Sequence, residues 1–148
     1  MQPVTSGETR AVPGGPVRFR AFTRALVPES GQLRDDEWLA AEAIVARAIA
    51  RRPARVRRQL ELFVRLLDIV ALLRHGRSAA QLSTEQRFEL LDALSRSRLL
   101  MLRRGVWGLR TLAMMGFYAR IEAAASIGYR ASAAGWDARH AGSVPLAP

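Results

Sequence analysis

The chain has 148 residues, 49% of them hydrophobic and 24% charged, with a formal net charge of +10 at neutral pH. That length suits one domain with one core, and the composition excludes a chain that is disordered throughout. The absence of cysteine excludes disulfides, thiolate metal sites, iron–sulfur clusters and Cys nucleophiles. All 23 basic residues are Arg. Complete replacement of Lys points to a coding bias more than to a ligand, and only "RRPARVRR", Arg51 to Arg58, forms a dense basic cluster. Solvated helix faces, an acidic protein partner and nucleic acid are the three readings of this charge.

Residues 1–16 contain three prolines and three glycines and read as a disordered arm. A helical domain is expected over 17–125. Phe19, Phe22 and Leu26 form one stripe on a first short helix, which Pro28 ends. Asp35, Asp36 and Glu37 place negative charge at the start of a second helix. Its buried face is Trp38, Ala41, Val45, Ala48 and Ile49, through about Arg51.

Pro53 opens a third helix, Ala54 to Arg74, at the position where a missing N–H is harmless. Val56, Leu60, Phe63, Leu67 and Val70 make one stripe; Leu62, Leu66, Ile69 and Leu73 make a second beside it. An apolar arc this wide predicts contact with several elements, hence a central helix. Arg58, Glu61, Arg65 and Asp68 alternate in sign and read as a solvated edge.

Gly76 stops that helix, and Ser83 with Gln86 forms a capping box for the next, whose buried face is Phe88, Leu91 and Leu94. After "SRSR" a last helical region runs from about Leu99 to Ala125, with Gly105, Gly108 and Gly116 inside it. Three interior glycines predict a kink, a junction or the close approach of another backbone. No segment alternates with a strand's period. The expectation is an all-α, compact bundle of five to six helices, ending in an extended C-terminal tail over 126–148. That tail carries Tyr129 and Trp136, each directly after a glycine.

Catalytic chemistry is not apparent. His75 and His140 lack partners at metal-ligand spacing. There is no phosphate-cradling glycine loop and no nucleophile elbow. No catalytic, cofactor-binding or metal-binding residue is assigned. "RSAAQLSTEQRFELLDAL" has a helix-turn-helix outline, but Glu85 and Glu89 would carry carboxylates toward phosphates. A basic nucleic-acid-binding regulator is therefore the alternative reading. The longest uncharged stretch of the C-terminal half, Thr111 to Ala119, is too short to span a bilayer, and no apolar leader is evident. A cytoplasmic location is expected.

From Leu82 onward the residues resemble a known family. Leu82 and Arg87 at a helix start, Leu94 with Ser97, a basic helix leading to Phe117-Tyr118, Ile127-Gly128-Tyr129 and Gly135-Trp136 occur in order. This pattern is similar to gluconate 2-dehydrogenase subunit 3, the small subunit of FAD-dependent glucose–methanol–choline oxidoreductases. It is similar also to the N-terminal region of long-chain alcohol oxidases, and upstream "FTRALVPES" looks like the family's opening helix. The resemblance covers roughly residues 19–137. It implies a subunit without catalysis of its own, in a heteromeric complex whose large subunit holds FAD and substrate. It also implies an interface, for which Arg110, Phe117, Tyr118, Tyr129 and Trp136 are the candidates.

Overall fold

A computed structural model describes residues 12–120, together with Ala123 and Gly128. Five α-helices and two 3-10 turns make up these residues, and no strand occurs among them. The helices are α1 (Gly15–Leu26), α2 (Asp35–Ala50), α3 (Ala54–His75), α4 (Thr84–Ser95) and α5 (Leu100–Tyr118). The all-α architecture read from the sequence is thus the observed one.

Local chemistry sets most of the boundaries. Gly14, at φ 71°, turns the chain into α1, and Pro16 occupies its first turn. At the start of α2 the Glu37 carboxylate accepts from the Arg34 N–H at 3.0 Å. Gly76, at φ 67°, closes α3 and donates its N–H to Leu72 at 2.9 Å. Ser83 and Gln86 cap α4 reciprocally: the Ser83 Oγ accepts from the Gln86 N–H, and the Gln86 Oε1 accepts from the Ser83 N–H.

The N-terminal boundary lies earlier than the sequence placed it. Val12 and Pro13 are buried and α1 begins at Gly15, so residues 12–16 belong to the helical domain; the rest of the expected arm is outside the described residues. Val12 packs with Phe19, Val45 and Ile49 in one cluster. A larger cluster joins Phe22, Leu67, Leu82, Leu90, Leu91, Leu94 and Leu109. Helix α5 contributes to the packing of α1, α2, α3 and α4 alike. It is α5, not α3, that stands at the centre.

This overturns the reading of α3. Only Phe63, Val64, Leu67 and Ala71 of its 22 residues are buried. In the second stripe Leu62, Ile69 and Leu73 are exposed, at 62%, 54% and 81%. Val56, from the first stripe, is exposed as well. The arc is wide, but the described residues cover only part of it. The polar strip is also more engaged than a solvated edge. Glu61 accepts from the Gly14 N–H at 3.2 Å, while Asp68 pairs with Arg18 at 2.6 Å and accepts from the Ala79 N–H. In α4, Phe88 faces solvent and Leu90 takes the core position expected for it.

Two of the three interior glycines of α5 have a steric reason. A Cβ on Gly105 would collide with the Phe63 ring, and one on Gly116 would lie 2.9 Å from Val45 Cγ2 and 3.3 Å from the Ala41 carbonyl oxygen. They allow α5 to close on α3 and α2, so α5 runs on without a break from Leu100 to Tyr118.

Candidate partner-binding groove

The uncovered stripe of α3 forms one wall of a groove of about 990 Å³, and α5 forms the other. The α3 wall includes Val56, Leu62, Leu66 and Ile69; the α5 wall includes Leu100, Met101, Gly108 and Leu112. Their placement follows from helical spacing. Leu62, Leu66 and Ile69 are four and three residues apart, as are Met101, Gly105, Gly108 and Leu112 on α5.

Four arginines, Arg52, Arg57, Arg65 and Arg104, line the groove, and none of its lining residues is acidic. Arg57 is fixed at the α2–α3 corner, donating to the carbonyls of Ala50 at 3.4 Å and Arg52 at 3.0 Å. Arg52, Arg65 and Arg104 make no ion pair among the described residues. The groove therefore offers apolar surface between uncompensated positive charges. Gly108 adds a third feature, because a Cβ there would meet nothing within 4 Å. Trp107, three residues along α5 from the lining residue Arg104, is 70% exposed.

Of the interface candidates named from the sequence, the described ones, Arg110, Phe117 and Tyr118, are not among the groove's lining residues. Arg110 is exposed on α5, and Phe117, nine residues after Gly108, sits about half a turn around the helix from it. Phe117 and Tyr118 pack edge to face at 4.9 Å, and the Arg120 guanidinium covers the Phe117 ring, also at 4.9 Å. These contacts hold the end of α5 together. Tyr129 and Trp136, with the tail as a whole and His140, lie outside the described residues apart from Gly128. Leu62, Ile69 and Trp107 were not among the candidates. An apolar arc wider than one stripe was the signal for the first two.

The charged pairs of the fold do structural work. Arg20 pairs with Glu42, which is 7% exposed, and lies over the Trp38 ring, which Arg24 also faces. The bond to Glu42 raises the Arg20 pKa. Arg87 donates to three carbonyls, of Ala79 at 2.8 Å, Ala80 at 3.0 Å and Ala21 at 3.2 Å, and burial lowers its pKa. It ties α4 to α1 and to the turn Ala79–Gln81, so this residue of the family-like pattern anchors the fold. His75 is exposed. Among the described residues no group of three His, Cys, Asp or Glu is placed to hold a metal ion.

No protein-family model matches the chain, and neither a curated protein nor a solved structure matches it. Among the described residues no helix is long and apolar enough to cross a membrane.

Proposed function

We propose that the chain is a non-catalytic helical subunit that binds and stabilises a larger protein. The observation carrying this reading is the exposed stripe of α3, an apolar surface continuous with the core that the other described residues leave open. Exposed apolar patches of this kind are a common basis of protein–protein association. The sequence resemblance supplies the partner: the large FAD-dependent subunit of a glucose–methanol–choline-type alcohol or sugar dehydrogenase, with flavin and substrate on that subunit. The complex is cytoplasmic in this reading. Binding to the folded partner alone displaces its unfolding equilibrium by mass action, which is how a subunit with no chemistry of its own stabilises an enzyme.

Co-expression with a glucose–methanol–choline-type flavoprotein subunit from the same genome tests this. A stoichiometric complex should co-purify, and the large subunit made without this chain should melt lower or lose flavin. A large subunit that is folded, flavinated and fully active alone overturns the proposal.

A further inference from the structure

We propose that the α3–α5 groove is a helix-docking site whose occupant is an acidic amphipathic helix of a partner protein, its backbone seated over Gly108. This rests on the reading of the chain as a binding subunit, but not on which protein the partner is.

Shape comes first. Two neighbouring helices with an apolar cleft between them offer ridges and grooves for a third, at an interaxial distance of roughly 8–10 Å. The lining runs along α3 from Val56 to Ile69 and along α5 from Leu100 to Leu112. At about 1.5 Å per residue each wall is roughly 18–20 Å long, enough for three to four turns of a bound helix. This is the geometry of helix-in-groove recognition, in which anchors three and four residues apart enter the cleft.

The glycines narrow the argument. Gly105 and Gly116 are explained by Phe63 and by α2, whereas nothing in the described residues occupies the space beside Gly108. A glycine in a helix interior is unfavourable relative to alanine. No contact among the described residues offsets that at Gly108, which is part of the groove lining. A missing Cβ lets a second backbone come close at that point.

Charge selects the partner. A helix with an apolar stripe flanked by Glu or Asp would meet Arg52, Arg65 and Arg104, which have no ion-pair partner among the described residues, beside the fixed Arg57. A second copy of this chain, with a net charge of +10, would bring the same arginines and face like with like. The masking of a bilayer surface is disfavoured by form, since the cleft between α3 and α5 is concave.

The test uses the full chain and displayed peptides of about 18 residues, long enough for the groove. Each has a fixed Leu/Ala stripe at helical spacing, with Glu, Gln or Lys varied on its flanks. Selection should enrich Glu, and the best synthetic peptides should bind one to one. Gly108→Leu should weaken them by at least about tenfold, and so should Arg65→Glu with Arg104→Glu. Gly108→Leu should melt no lower than the parent chain, which separates lost binding from lost folding. No enrichment, preference for Lys, or binding indifferent to both variants overturns the proposal. So does a lower melting temperature for Gly108→Leu, which would give that glycine a packing role. Dimerisation lost in Gly108→Leu would assign the groove to a second copy. Phosphatidylserine vesicles bound through the same residues would assign it to a membrane. Either result replaces the acidic helix. A flavoprotein complex indifferent to Gly108→Leu would leave the subunit reading intact while removing the groove from it. Acidic peptides bound at the groove without a flavoprotein complex would do the reverse.

Discussion

Arg120 is 5% exposed and is held by Glu37, whose carboxylate accepts from it at 2.9 Å, and by the Phe117 carbonyl at 3.1 Å. It therefore joins the end of α5 to the first turn of α2 across 83 residues of sequence. Glu37 is shared, since it also accepts from the Arg34 N–H, and this bond first and Arg120 second hold its pKa below the usual glutamate value. The sign of the pH effect follows from that direction. A carboxyl whose folded pKa lies below its unfolded one stabilises the fold above the unfolded value of about 4.3 and loses that effect as pH falls through the folded value. Glu37→Gln should therefore lower the melting temperature at neutral pH. The difference from the parent chain should shrink steadily as the pH is taken below about 4. Thermal melts of both proteins between neutral and acid pH give the comparison; a gap that stays constant would show that Glu37 acts without its charge. Phe117 belongs to the same knot and is half-buried against its own helix end.

Helix α3 carries two stripes that periodicity cannot tell apart, and its two faces should respond oppositely to truncation. Leu67 is fully buried in the main cluster, so Leu67→Ala should cost about 2–5 kcal/mol. Leu62, four residues from Leu66 on the open face, is 62% exposed, and Leu62→Ala should stay within about 0.5 kcal/mol. Urea unfolding of the isolated chain measures both; a large loss from Leu62→Ala would mean that the stripe is covered after all. The helix itself was legible, as were its capping glycine, the Ser83–Gln86 box and the three acidic residues opening α2, because each depends on residues a few positions apart. Which stripe faces the core was not legible. A leucine awaiting a partner and a leucine in the core have the same side chain and the same spacing. Phe88 failed for that reason, since Leu90 and Leu91 together satisfied the core from one turn of α4. The glycines of α5 signal a kink, a junction or a close approach without choosing among them, because Phe63, Val45 and Ala41, which meet Gly105 and Gly116, are more than forty residues away and only the fold brings them near. Arg87 was noted in the family-like pattern, and its three carbonyl acceptors could not be, because backbone groups leave no mark in a sequence.

At the scale of the whole molecule the excess of positive charge has to be assigned to a partner or left to solvent. Part of it is used inside the fold: Arg18, Arg20, Arg34, Arg96 and Arg120 pair with carboxylates, and Arg87 is taken up by carbonyls. Four of the others converge on the groove, where they alternate with leucine, isoleucine and methionine instead of forming a continuous basic track. A surface of that kind differs from one built for nucleic acid, whose affinity comes from many phosphate contacts aligned along the backbone. The difference is measurable through salt. Six to ten phosphate contacts would lower duplex affinity by roughly a thousandfold to a hundred-thousandfold between 50 and 200 mM salt. Partner binding through a mainly apolar groove rimmed by four arginines should lose far less over that range, because burial of apolar surface does not release counterions. A fluorescence titration of a short DNA duplex, run beside the proposed flavoprotein complex at both salt concentrations, separates the two. The expected result is weak duplex binding that vanishes at the higher salt while the protein complex persists. Tight duplex binding at 200 mM, with no protein complex, would make the chain the basic regulator that its net charge alone allowed.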